Sequence, residues 1–341
     1  MNLSKIIKSP QFYYLVLLIF LILVPVMFKS QYYLGIFMMI LINALLATSL
    51  WFIMTTGQLT FGHAGFAAIG AYLSAALVTS YGQSSWLSLV AAVVISGVIS
   101  SAIGYLTLRI KGIYFIVVTL ALGQAITVVF GMIDHPFGGL LGLINLPHPD
   151  SIRVPGLPAI EFVSPSSIYY LILLFAVLSI VIMYRLSRSR IGLIYKGISQ
   201  ADNLAEHVGV NIMAQKIRAF VLGSMFASLA GVLYTYHTAA ILPSSFTITQ
   251  STYYIVYVSV GGVANIAGPI LGTVILSIVS IFLRPAQEFV PIIYGILLIV
   301  FMFFLKRGLL GLIVRVWDNI KSYFKRNNFR GVMKVISRRA S

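Results

Sequence analysis

YRLSRSRIGLIYKGISQADNLAEHVGVNIMAQKIR, Tyr184 to Arg218, is the one long stretch in which this chain turns polar. Six basic and two acidic side chains fall within it, and apolar sequence flanks it on both sides. Across the chain, 60% of residues are hydrophobic and 9% charged, with a mean hydropathy of +1.00. Too few polar side chains remain to cover a water-soluble globule, so the composition specifies an integral membrane protein. A bilayer core needs about 20 apolar residues per helix. The 341 residues therefore hold roughly ten crossings with short loops and leave no room for a soluble catalytic domain. The expected organisation is all-α and polytopic: a single transmembrane domain over 1–312 and a basic tail over 313–341.

Apolar runs lie at Phe12–Phe28 and at about 32–54, 64–80, 86–108, 113–133, 168–184, 219–241, 250–264, 269–283 and 289–305. The first follows Lys5 and Lys8 and leads into KSQYY rather than a small-residue cleavage site, which reads as an uncleaved helix. If each run crosses once from a cytosolic N-terminus, Arg109 and Lys111, the Tyr184–Arg218 stretch, and Lys306, Arg307 and the tail all fall inside. All but three of the 23 basic residues are then cytosolic, the exceptions being Lys29, Arg153 and Arg284. Asp134, Asp150, Glu161 and Glu288 are external. This is the positive-inside pattern and predicts that both termini are cytosolic. The net charge of +16 thus reports orientation at a lipid surface, and no nucleic-acid partner is expected. The chain has no cysteine, which excludes disulfides and thiolate chemistry. Its five histidines form no HExxH or other paired spacing, so no metal site is expected.

Two runs are weak. The segment 57–80 opens on GQLTFGHAG, and Thr252 to Asn265 is short and runs into GGVANIAGP. Both are expected to be re-entrant or broken helices, which a bilayer tolerates only where the backbone faces protein or water. Gln58 and His63 are the polar side chains at the first of these, as interhelical hydrogen-bond partners or as pathway groups. Gly223, Ala227 and Gly231, and likewise Gly268 and Gly272, recur four apart, the spacing at which small residues let helices approach closely. The external segment 134–167 carries six of the 12 prolines and is expected to be a surface loop. The tail has Trp317, Ile320, Phe324, Val332 and Ile336 spaced for a basic amphipathic helix on the inner leaflet, with a disordered basic tail the alternative.

Within Tyr184–Arg218, the capping-type residues Ser199, Asp202 and Asn203 precede LAEHVGV, and Gly209 followed by Asn211 supplies a stop. A helix of about two turns is expected there. Such a helix is not stable alone and must dock on something. The chain has no GxxxxGK[ST] phosphate loop, no GxSxG elbow and no acidic pair in an apolar run, so it carries no residues for ATP hydrolysis or acyl transfer. It also lacks intramembrane carboxylates and lysines, which ion-coupled carriers usually need. A transporter powered from outside itself fits better than an ion-driven carrier or a passive channel, and a membrane scaffold is a third class.

Five segments carry a resemblance to a known family: GQLTFGHAGFAAIGAY (57–72), LRIKGIYFIVVTLALGQ (108–124), Arg188 through Tyr234, GGVANIAGPILGTVIL (261–276) and the terminal LKRGLLGL (305–312). In order and spacing the chain resembles the M-type membrane permease subunits of ABC importers for branched-chain amino acids. The resemblance implies a bacterial or archaeal inner-membrane location, a second permease subunit, two cytosolic ATPase subunits and an extracytoplasmic solute-binding protein. No cofactor is expected on this chain; ATP and Mg would bind the ATPases. It also implies that Ala205, Glu206, His207, Val208 and Gly209 form the coupling helix seated on an ATPase subunit, and that Gly57, Gln58, Thr60 and His63 border the translocation path. The family commonly has Ser-Leu-Gly-His where this chain has Thr60, Phe61, Gly62 and His63, which keeps the hydroxyl. The polar Thr-Gly-Gly of the external loop is replaced by Phe137-Gly138-Gly139-Leu140-Leu141-Gly142. That departure loosens the inference about the solute, and related permeases resemble importers of urea, short amides or sugars.

Overall fold

The structure, a computed structural model, describes residues 10–152, 159–207, 209–283, 288–304, 308, 309 and 311. The tail 313–341, Lys5, Lys8, Arg153, Arg284, Lys306, Arg307 and Val208 lie outside the described residues.

Each of the ten apolar runs coincides with a helix. In chain order these are α1 (Pro10–Met27), α2 (Gln31–Met54), α3 (His63–Thr79), α4 (Ser85–Thr107), α5 (Ile113–Met132), α6 (Pro165–Arg188), α9 (Ile212–Thr238), α10 (Ile248–Gly261), α11 (Ala267–Phe282) and α12 (Val290–Phe304). Between α6 and α9 lie α7 (Arg190–Gln200) and α8 (Asp202–His207). Among the described residues five helices, α2, α4, α5, α6 and α9, are long and apolar enough to cross a membrane by length and composition. The chain is therefore an all-α polytopic membrane protein. Helices α6 and α9 outrun their apolar segments because lysine and arginine are good helix formers, so Arg185, Arg188, Lys216 and Arg218 stay within regular helix.

The described residues fall into two compact units that divide between Ile255 and Val256. The first is organised around α9, which packs against α2, α3 and α4, with α5 on α3 and α6 on α2. The closest approaches of α9 are made at small residues. A methyl added to Gly231 would overlap the carbonyl oxygen of Ala67, one added to Gly223 would overlap Ile53, and Ala227 is fully buried. Where lipid tails are as apolar as leucine, such close approach is what holds helices together. In the connections that follow α5 and α9, β1 (Leu143–Ile144) pairs antiparallel with β2 (Ala240–Ile241) just beyond the end of α9. The backbone N–H of Ser85 donates to Asp150 Oδ2 at 2.7 Å, the Trp86 indole donates to the Asp150 carbonyl, and Tyr236 donates to the Ser85 carbonyl. These bonds tie the proline-rich loop to α4, and α4 to α9.

In the second unit, from Val256 onward, the end of α10 meets α11 as closely. A methyl on Gly268 would overlap the Gly262 carbonyl oxygen, and one on Gly272 would overlap that of Tyr257. The Tyr294 hydroxyl of α12 donates to the Leu276 carbonyl at 2.8 Å and pairs with Ser280 Oγ.

Candidate functional site

The polar stretch Tyr184–Arg218 is an assembly of helical pieces. Ser189 separates α6 from α7, an amphipathic helix that buries Gly192, Tyr195 and Ile198 along one stripe. The Tyr195 ring packs edge-on against Phe52 at the end of α2, 5.8 Å between centroids. Burial holds the Tyr195 phenol above its ordinary range, while the nearby Arg218 guanidinium pulls it the other way. Next along α7, Ser199 lies against Gly57, where a methyl would come within 3.4 Å of the Ser199 Cα.

Helix α8 is six residues long and buries none of them. Its C-terminal end closes with Gly209 in the left-handed region (φ 83°), whose N–H donates to the Glu206 carbonyl at 2.9 Å, while the Val210 N–H donates to that of Ala205 at 3.1 Å. This double bond pattern is a Schellman stop, and it needs a residue free of a Cβ penalty at the turn. Asn211 then starts α9, its side chain accepting from the Ala214 N–H at 3.0 Å. Asn203, Leu204, Glu206 and His207 are exposed, Leu204 by 69%. Lys216 of α9, nearly buried, places its ammonium 2.8 Å from Asp202 Oδ2. A cavity of ≈ 620 Å³ opens between α8 and the α4–α5 turn, where Arg109 and Lys111 line it. A second, of ≈ 310 Å³, lies towards Gly57, Gln58 and Ser199.

From Gly57 the chain runs non-helically to Gly62 before α3 begins. At 17 residues and 1.5 Å per residue, α3 spans about 26 Å, short of the about 30 Å hydrocarbon core. Gly62 packs against the Thr119 carbonyl and Gly123, halfway along α5, and Thr119 Oγ1 accepts from the Phe61 N–H at 3.2 Å. Thr60 Oγ1 accepts from the Gly62 N–H. His63 Nε2 lies 2.8 Å from Ser49 Oγ, and the Ala64 N–H donates to Ser251 Oγ at 3.0 Å.

Ser251 belongs to α10, which is itself preceded by the irregular Leu242–Thr247, pinned where Thr127 Oγ1 donates to the Phe246 carbonyl. Two interrupted segments, one before α3 and one before α10, thus meet at the starts of their helices, with the His63 and Tyr254 rings edge-on at 6.4 Å. Bonds of this kind satisfy backbone groups that a bilayer would leave orphaned.

The residues singled out in the sequence therefore divide. Gly57 and Gln58 come together with α7 and the cavity beside α8, whereas Thr60 and His63 are fully buried among α2, α5 and α10. Ala205, Glu206, His207 and Gly209 share one exposed turn. Sequence reading did not single out Ser49, Thr119 and Ser251, which look there like isolated hydroxyls in apolar runs, or the Asp202–Lys216 pair. The only signal for that pair was two opposite charges flanking the turn between helices.

The family described as "Branched-chain amino acid transport system / permease component" matches residues 32–306. The chain is similar to the high-affinity branched-chain amino acid transport system permease protein LivM of Salmonella typhimurium, 28% identical over 272 residues, covering 75% of this chain and 64% of that protein. It is similar to LivM of Escherichia coli at 27% identity over the same length and coverage. A probable branched-chain amino acid transport permease protein LivM of Methanocaldococcus jannaschii is 22% identical over 245 residues, 65% of this chain and 68% of that protein. The chain thus spans about 64% of the length of the two bacterial relatives. No solved structure matches it.

Proposed function

The chain belongs to the family of permease components of branched-chain amino acid transport systems, and on that premise we propose that it forms half of the translocation pathway of an ABC importer in a bacterial or archaeal inner membrane. A second permease subunit completes the pathway, an extracytoplasmic binding protein delivers the solute, and two cytosolic ATPase subunits, with their ATP and Mg, drive the cycle. The solute is a branched-chain amino acid. The observation that carries this reading is α8: a six-residue helix between basic flanks, none of its residues buried, presenting Leu204, Glu206 and His207 outward. A helix this short needs a surface to sit on, and a groove on an ATPase subunit supplies one.

Glu206→Arg combined with Gly209→Val is expected to insert in the membrane normally and to abolish ATP-driven uptake of labelled leucine by the reconstituted complex. Undiminished uptake by that variant would sink the coupling-helix assignment. Leucine flux through this chain alone in liposomes, without ATPase subunits, would favour a channel or ion-driven carrier. Competition by urea, short amides or sugars in place of branched-chain amino acids would move the solute to one of those classes.

A further inference from the structure

We propose that the Asp202–Lys216 ion pair is the mechanical tie that makes α8 and α9 move as one, so that these two side chains are positioning residues for ATP-driven transport. The proposal rests on the importer reading above. None of the residues of α8 is buried and only Asp202 and Ala205 are half-buried, so packing against the bundle holds little of it. Cavities of ≈ 620 and ≈ 310 Å³ lie beside it, and Lys111, Asp202 and Lys216 line both, which makes the pair the partition between them. The covalent route from α8 to α9 runs through the turn at Gly209, which is closed by the backbone bonds from Gly209 N–H to Glu206 and from Val210 N–H to Ala205. Both bonds tie the turn to α8, so without the ion pair α8 and its turn could tilt together while α9 stayed still.

The pair removes that freedom. It is the only ion pair among the described residues, with the Lys216 side chain 7% exposed and Asp202 29% exposed. Pulling the carboxylate away would leave a nearly buried ammonium uncompensated, so the pair resists separation more than a surface bridge would. Beyond Lys216 the route has no slack. Gly223 of α9 lies against Ser49 and Ile53 of α2, Gly231 lies against Ala67 of α3, and Ser49 holds His63 at the start of α3. A displacement of α8 therefore reaches the unwound segment before α3 through contacts that cannot be compressed.

The test uses the complete complex in proteoliposomes, with second permease, ATPases and binding protein. Asp202→Asn, Lys216→Met and the exchange Asp202→Lys with Lys216→Asp are compared for leucine uptake and for ATP hydrolysis with and without loaded binding protein. The single variants are expected to assemble and to keep basal hydrolysis. Their uptake, and the stimulation of hydrolysis by binding protein, should fall by at least about tenfold, a coupling loss of about 1.4 kcal/mol. The exchanged pair should recover both. Single variants that transport like the wild type overturn the proposal. So does an exchange variant as inactive as the singles, or a loss of assembly and basal hydrolysis in step with uptake, which marks the pair as merely structural. A wild-type complex that takes up no branched-chain amino acid counts against the importer reading instead, and is distinguished by that control.

Discussion

At Gly231 the backbone of α9 lies so close to α3 that a single added methyl would overlap the Ala67 carbonyl oxygen. Gly231→Ala forces the two helices apart and is expected to destabilise the chain by about 1–3 kcal/mol, the usual cost of overpacking. Gly295 of α12 has open space where its Cβ would be. Gly295→Ala should be neutral or stabilising, since glycine is about 1 kcal/mol worse than alanine inside a helix. Thermal unfolding in detergent separates the two, and equal shifts would mean that the close approach at Gly231 does not hold. The four-residue spacing of Gly223, Ala227 and Gly231 made that contact surface legible in the sequence, because helical periodicity puts the residues on one face whatever they meet. The hydroxyl pins were not legible in this way. Ser49 meets His63 fourteen residues away and Ser251 meets Ala64 across 187, and nothing local in an apolar run states which serine will find a partner.

The helices themselves were legible because bilayer thickness dictates their length and hydropathy their position. The breaks were legible only in part. GQLTFGHAG announced the unwound approach to α3 through its glycines and polar residues, while for α10 the sequence pointed to GGVANIAGP at its far end. The irregular segment before α10, where Pro243 opens a short 3₁₀ turn, went unflagged because it falls between the runs 219–241 and 250–264 and looks there like an ordinary connection. The two breaks are joined by one bond with an unusual role. Helix α3 has Gly62 at its N-cap, which offers no side chain, and the Ala64 N–H is satisfied instead by Ser251 Oγ from the start of α10. Ser251→Ala removes a cap supplied by another element, worth about 1 kcal/mol. Amide hydrogen exchange over residues 57–64 should accelerate while the outer turns of α3 stay protected. Unchanged exchange there would show that the starts of α3 and α10 hold their positions independently.

At the scale of the molecule, charge sets orientation and the absence of cysteine makes orientation directly measurable. Lysine and arginine resist translocation, so the loops that carry them stay cytosolic. By that rule Arg109, Lys111 and the α6–α9 connection lie inside, and the proline-rich connection between α5 and α6 lies outside. The structure supplies reporter positions in each: Leu141 is 84% exposed at the tip of the short 3₁₀ turn after α5, and Asn203 is exposed on α8. Because the chain has no cysteine, Leu141→Cys and Asn203→Cys each create a single thiol with no background. In intact cells a membrane-impermeant maleimide is expected to label Leu141→Cys and leave Asn203→Cys unmodified until the membrane is permeabilised. The reverse pattern would invert the molecule, put α8 beyond the reach of any cytosolic ATPase, and remove the basis of both the importer reading and the role of the Asp202–Lys216 pair. Labelling of both thiols in intact cells would break the link between charge and sidedness on which the assignment of every loop depends.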